Sequence, residues 1–523
     1  MSFLTTILGL KGTANEKDGS SRMQRGVPAE SPSLSCVMKE NRDFIEKSLG
    51  QDSDIVLKEI AAGSYPLQAL VMYTDGLTSQ AIVNETILKP LAADSKSGSL
   101  RESATPEAAY QWLLHEAITN GGIKELTSWP ELYLELLGGN TVILLDGVGK
   151  GLSVDTSSPK ERAIEEPSSA TVIRGSREGF TENLRTNTML VRRKIRDSRL
   201  RCRQMNIGEM SKTEIAVMYM EGIAKEDVVQ ELFARLHAIK VPGILESGNI
   251  EEWIQDQFWT PFPTVFNTER PDMVSAALME GRAAVVVNGT PFVLIVPALF
   301  THFFQVAEDY YQRADIGFLI RLLRYISLLI SLLAPALFIA VTTFHQEMLP
   351  TPLLISLAAQ REGIPFPALI EAIAMEFTFE VLREAGVRLP RAVGQAVSIV
   401  GALVIGQAAV EAGIVSAAMV IVVSITAITS FVFPAVNMSI SIRMLRFLFM
   451  ILAGSFGLFG ITVGLIALTL HLCSLKSFGV PYMSPFAPYD TYDQGDAIFR
   501  MPPWLMRRKP DYLGGKPHAD RNR

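Results

Sequence analysis

This 523-residue chain has 48 Lys and Arg against 54 Asp and Glu, a net charge of −6, so no global attraction to nucleic acid follows. Apolar residues make up 48% of it, and the excess is concentrated after about residue 315, where long apolar runs replace a charged N-terminal part. The three cysteines, Cys36, Cys202 and Cys473, are far apart and have no CxxC partner, which argues against a disulfide framework or a zinc site.

The length allows two or three domains. Met1–Leu10 is apolar but lacks a basic start and a small-residue cleavage site, so the N-terminal part is expected to be cytoplasmic, with later segments directing insertion. Residues 1–35 read as a disordered lead, rich in Gly, Ser, Pro and charge from residue 11 on. Asn41–Ile60 has apolar residues at Phe44, Ile45, Leu49, Ile55, Val56 and Ile60, a spacing that predicts helix. Ala69–Tyr73 followed by Thr74-Asp75-Gly76 predicts a strand and a turn. Ser79–Leu91 and Pro106–Asn120 read as helices, and Thr141–Leu145 as a second strand. This alternation predicts a first α/β subdomain over 36–155, followed by a polar linker at 156–170.

A second α/β subdomain is expected over 171–315. Its elements are a strand at Thr213–Tyr219, helices at Ala224–Ala238 and Ile250–Trp259, and a Pro-rich loop over Pro261–Asp272. Ala283–Asn288 and Pro291–Val296 are apolar enough to suggest a membrane span. Asn288, Gly289 and two prolines interrupt them, however, which favours a hairpin.

Residues 316–475 read as a transmembrane domain with four to five spans. Four are clear: Leu319–Phe344, Ala392–Ala412, Ile414–Pro434 and Phe447–Leu475, each near the ~20 residues a bilayer requires. Residues 366–384 form a fifth, amphipathic or re-entrant segment, and 476–523 a polar C-terminal tail. Arg313, Arg321 and Arg324 precede the first span, which places the N-terminal half inside. Arg383, Arg388, Arg391, Arg443 and Arg446 are also inside only if 366–384 crosses. In that case Arg507, Arg508 and Lys509 fall outside, and the parity of crossings stays open. The expected fold is an α/β cytoplasmic N-terminal region of two subdomains followed by an α-helical polytopic membrane domain.

Within the membrane block, Glu371, Glu376, Glu380 and Glu384 are costly unless they face water or a partner. The last three, at i, i+4 and i+8, share a helical face. In a ring of subunits they would line a cation path. Otherwise they form an amphipathic surface or pair with Arg383, Arg388 and Arg391. Gly394/Ser398 and Ala402/Gly406, with Gly401 between, have the small-residue spacing of close helix packing, within one chain or between subunits. The basic run Arg192–Arg203 has no aromatic interleaving for nucleic acid. A solvated helix face or intersubunit salt bridges explain it best, with anionic lipid next. Gly147–Gly151 fails the phosphate-loop spacing and reads as a hairpin turn. No HExxH, GxSxG or histidine cluster occurs, so no catalytic residue, metal or cofactor is expected.

Several stretches taken together resemble the A subunit of the GerA family of spore germinant receptors. They are Ser176–Glu182 (SREGFTE), Asn183–Arg193, Thr268–Asp272 (TERPD), Glu308–Tyr311 (EDYY), Phe344–Leu353 (FHQEMLPTPL), Pro365–Pro367, Glu384–Pro390 (EAGVRLP) and Gly401–Gly413. Arg177, Glu178, Gly179, Phe180, Glu269, Arg270, Pro271 and Asp272 carry the two most compact motifs, and Ser176 stands where the family usually has Pro. The resemblance implies a multi-pass protein of the spore inner membrane. It would act with a transporter-like B subunit and a lipoprotein C subunit, and oligomerise into a ligand-gated channel for monovalent cations. A paralogous group, the stage V sporulation AF-type proteins, shares these motifs and implies signal amplification instead. A non-conducting membrane scaffold is the other alternative.

Overall fold

The computed structural model describes residues 33–50, 52–61, 68–93, 105–118, 122–157, 174–389, 406–489 and 493–502. The first unit begins with α1 (Met38–Leu49), whose Met38, Ile45 and Leu49 are buried. The single helix expected over Asn41–Ile60 is not formed. Gly50 turns the chain at φ 65°, a conformation other residues rarely adopt, and the following β-branched segment becomes β1 (Ile55–Ala61). β1 pairs with β2 (Gln68–Thr74), Ile55 opposite Thr74. Helical segments over 80–93 and 106–117, where helices are expected, together with β3 (Ile123–Leu126), α2 (Trp129–Leu137), β4 (Thr141–Leu145) and β5 (Gly151–Val154), complete the unit. The sheet order is β1-β2-β4-β5-β3, and every pairing is antiparallel. Gly147–Lys150 lie in the β4–β5 connection and Gly151 opens β5, the hairpin turn expected there.

The second unit repeats the plan. It comprises α3 (Leu184–Lys194), β6 (Leu200–Ile207), β7 (Thr213–Met220), α4 (Glu226–Ala238), α5 (Ser247–Ile254), β8 (Phe266–Thr268), α6 (Pro271–Met279), β9 (Ala283–Val287) and β10 (Val293–Val296). The order is β6-β7-β9-β10-β8. β9 and β10 form the hairpin expected at 283–296, and both are buried along their whole length. Val285, Val287, Leu294 and Val296 pack on the α4–α5 side. Ala284, Val286, Val293 and Ile295 pack on the α3–α6 side. Covering both faces of a strand with helices gives the continuous apolar run that mimics a span.

The loop after α1 ties the two sheets together. Along β6, an edge strand, Ser53 N donates to Cys202 O (3.0 Å), Cys202 N to Asp52 Oδ1 (3.0 Å) and Gln204 N to Ser53 Oγ (3.2 Å). Arg192, fully buried, reaches Asp54 (2.7 Å) and Asp52 (3.1 Å) and donates to Leu200 O (2.8 Å). The basic run is therefore only in part a solvated face: Lys194, Arg196, Arg199 and Arg203 are exposed, whereas Arg192 and Arg201 are buried. Arg192 bridges the units, Arg193 and Lys194 hold Glu178, and Arg201 holds Glu221 and Ser48 O.

The C-terminal part is a helical bundle of α7 (Ala314–Thr343), α8 (Thr351–Arg361), α9 (Ala368–Arg388), α10 (Ala417–Ser430) and α11 (Val436–Ser474). Among the described residues, α7 and α11 are long and apolar enough to cross a membrane. α11 is not straight. Gly457 breaks it at φ 63°, ψ −142°. A Cβ on Gly460 would stand 2.3 Å from the Leu452 carbonyl oxygen, whereas eight residues of straight helix would separate them by ~12 Å. The two halves fold back on each other, and the single run expected at Phe447–Leu475 is part of a helical hairpin. Its bend meets Phe344 and His345 at the end of α7. Its two ends return to the second unit, where Ser441 Oγ meets Pro261 O and His471 Nε2 meets Thr260 Oγ1 (2.9 Å).

Residues 475–489 and 493–502 do not hang free. Phe478 and Val480 enter the second unit's core, Tyr482 is fully buried, and Asp496 reaches Arg321 (2.9 Å).

Candidate functional site: a motif junction and a buried charge ladder

Three of the short motifs meet at one junction. Phe180 N donates to Glu269 O (2.8 Å), so SREGF lies along TERPD, and the Phe180 ring fills the α3–α6 core. Pro271 opens α6, where a missing N–H costs nothing. Asp272 sits in the first turn, where a carboxylate suits the helix dipole. Arg270 clasps Asp272 (2.6 and 3.0 Å) and donates to Ser176 O (3.4 Å). Tyr311, from the EDYY motif, donates its hydroxyl to Asp272 (2.8 Å). Burial first, and then that carboxylate, push the Tyr311 hydroxyl up to about 12. Glu178 receives Arg193 and Lys194. Burial alone would raise its pKa, but these cations hold it below the usual carboxylate range. Gly179 is buried and Arg177 exposed.

The junction leads directly into α7. Asp309 accepts Arg324 Nη1 (2.7 Å) and lies 3.4 Å from Arg321 Nε; Arg324 also donates to Phe304 O (2.9 Å). Of the arginines read as orientation markers before the first span, Arg321 and Arg324 are thus buried fasteners between α7, the helix at Ala307–Tyr311 and the chain's C-terminal segment, whereas Arg313 is exposed and pairs with Asp315.

Further along the bundle, α9 carries the four glutamates, each paired within the chain. Glu371 accepts Ser416 N and Oγ (both 3.0 Å) at the start of α10, with Arg361 at 3.4 Å. Glu376, fully buried, accepts Arg446 Nη1 (2.6 Å). Glu380 pairs with Arg443 and lies 3.9 Å from Arg383. Glu384, mostly exposed, pairs with Arg388 (2.6 Å). Arg383 and Arg388 are among the expected partners and Arg391 lies outside the described residues, whereas the sequence does not point to Arg361, Arg443 or Arg446.

At the centre, backbone chemistry dictates side-chain placement. Pro335 lies inside α7 and has no N–H, so the carbonyl of Ser331, four residues earlier, loses its helical donor. Arg446 replaces it, with Nε donating to Ser331 O (2.7 Å) and Nη2 to Ser331 Oγ (2.8 Å). One guanidinium thereby satisfies a proline-orphaned carbonyl and neutralises Glu376, joining α7, α9 and α11. A Ser four residues before an interior Pro was the available sequence signal.

Gly394, Ser398, Gly401 and Ala402 lie outside the described residues. Gly406 faces Val420 of α10, 3.6 Å from a built Cβ, so at that point the spacing serves packing within the chain. Among the described residues, no group of three or more His, Cys, Asp or Glu is arranged to hold a metal ion.

Comparison with known proteins places the chain. The family model described as "Bacillus/Clostridium GerA spore germination protein" matches residues 43–512. Spore germination protein KA of Bacillus subtilis (strain 168) is 49% identical, covering 92% of this chain and 87% of that one. Spore germination protein GerLA of Bacillus cereus is 40% identical, covering 92% and 95%. The crystal structure of the N-terminal domain of the A subunit of the Bacillus megaterium spore germinant receptor GerK3 is 34% identical with a TM-score of 0.41, covering 52% of this chain and 99% of that one. The chain belongs to the GerA family, the germinant receptor A subunits of spore germination.

Proposed function

We propose that this chain is the A subunit of a nutrient-germinant receptor in the spore inner membrane, with its two-sheet region in the cytoplasm. It works with a transporter-like B subunit and a lipoprotein C subunit. Copies oligomerise, and opening the assembly releases monovalent cations. The carrying observation is the charge ladder inside an apolar bundle, joined through the motif junction to the two-sheet region. Charges at such depth are tolerated where they pair or line a polar path. In this reading the bundle is multi-pass. α7 leads away from the cytoplasmic face, the α11 hairpin crosses and returns, and 475–502 ends on the cytoplasmic side.

Glu380 is the member of the ladder that combines partial exposure with shared arginines, which makes it the residue to replace first. Spores carrying Glu380→Gln, alone and with Glu376→Gln, are expected to release potassium more slowly on germinant addition at normal receptor abundance. Unchanged release and ion selectivity in both would remove the ladder from the conduction path.

The pairing of all four glutamates inside one chain favours a second reading, a non-conducting scaffold or signal-amplifying paralogue. Purified protein in liposomes separates the two, because a scaffold passes no ions under any stimulus.

A further inference from the structure

The second unit exposes an aromatic loop beside the bundle, which neither the junction nor the ladder uses. Trp259 is 91% exposed and Phe258 72%, with their rings edge to face at 5.5 Å. Trp253, on the last turns of α5, is 54% exposed. Side chains of this size in water are unusual without a partner. The loop's own backbone is held in place. Thr260 bonds His471 (2.9 Å) near the end of α11, the Pro261 carbonyl accepts Ser441 Oγ near its start, and the Phe262 ring lies against His471. Within the loop, Asp256 is occupied by Arg235 (2.8 Å) and Phe478 N (2.7 Å).

The loop is thus fastened where both halves of the hairpin emerge. The flanking faces of those halves are apolar and exposed: Ile440 and Met444 on one, Ile466 and Leu470 on the other. Phe258 and Trp259 directly precede Thr260, which bonds α11 at His471, and exposed Lys476 lies just beyond the end of α11. Tryptophan at the boundary between hydrocarbon and water, with a lysine nearby, is the composition of a membrane interface.

We propose that the 255–263 loop is an interfacial anchor whose Phe258 and Trp259 insert into the headgroup region of the bilayer, fixing the second unit's height and tilt over the bundle. The inference rests on the reading that α7 and α11 cross the membrane. Its occupant is lipid, not a second copy of the chain.

The test uses the full chain in phosphatidylglycerol-containing vesicles whose acyl chains are brominated near the headgroup or near the chain end. Trp259 emission is read in a variant with Trp112, Trp129, Trp253 and Trp504 replaced by phenylalanine. It is read again as the difference between the parent and Trp259→Phe, which keeps the other tryptophans. A Leu470→Trp reporter in the Trp-free background checks the span separately. The expected result is blue-shifted Trp259 emission, quenched more strongly by shallow than by deep bromines. Solvent-like emission, or blue-shifted emission that neither lipid quenches, overturns the anchor if Leu470→Trp is quenched. If Leu470→Trp also escapes quenching, the membrane reading falls together with the anchor.

Discussion

Pro335 removes one donor from the interior of α7, and Arg446 supplies it from another helix. Removing one partner of a buried ion pair typically costs ~3–5 kcal/mol, far more than replacing both with apolar groups. Arg446→Met should therefore destabilise the protein strongly in detergent thermal unfolding, and Glu376→Leu added to it should recover much of the loss. Pro335→Ala restores an N–H to Ser331 O, so Arg446→Met should cost less in that background. Equal cost with and without Pro335 would show that the carbonyl is not what holds Arg446. Glu178 gives a pH signature. Its folded-state pKa lies below its ordinary value near ~4.3, so its contribution is complete above that value and lost as pH falls through the folded pKa. Glu178→Gln should lower stability by ~1 kcal/mol at neutral pH, and variant and parent should converge on acidification. The α9 charges are legible as charges. Their partners are not, because Arg443 and Arg446 lie on a helix more than fifty residues on and only tertiary packing shows which arginine meets which glutamate.

Hydropathy sees length and apolarity but carries no sign for a reversal, which is why α11 reads as one crossing. The glycines at 457, 460 and 464 were the local signal: Gly457 turns the chain at φ 63°, and a Cβ on Gly460 or Gly464 would collide with Leu452 or Phe449 of the opposite half. Gly460→Leu should separate the hairpin halves and sharply reduce the amount of folded protein in membranes, while Gly363→Ala, in open space, should leave the level unchanged. A similar loss of sign affects the first unit. A helical period over 41–60 hides the Gly50 turn, and the strand behind it is recognised only through its pairing with β2. The β9–β10 hairpin was legible because Asn288-Gly289 interrupts the apolar run where a turn is required.

At the scale of the whole molecule, the hairpin decides which side the chain's end lies on. Tyr489, 72% exposed, follows the hairpin's return, and Met348, 65% exposed, follows the far end of α7. Cysteines placed at these positions in a Cys36→Ser, Cys473→Ser background should react with an impermeant maleimide from opposite faces of sealed vesicles, Tyr489→Cys from the same face as a cysteine in the two-sheet region. Labelling of both from one face would contradict the proposed topology. The overall division into two mixed helix–sheet units and a bundle was legible from composition and motif order. How the units join was not, because the residues at each joint are distant in sequence.

The loop bonded along β6 has a consequence for assembly. An open sheet edge is a ready template for strand addition by a neighbour. Here the main-chain groups of Cys202 and Gln204 are already taken by Asp52 and Ser53 of the same chain. Self-association through that edge would first require peeling away the first unit and exposing Arg192 with its two aspartates. Copies of this chain that gather must therefore meet through other surfaces, and β6 is sealed against sheet-to-sheet aggregation for as long as the two units remain together.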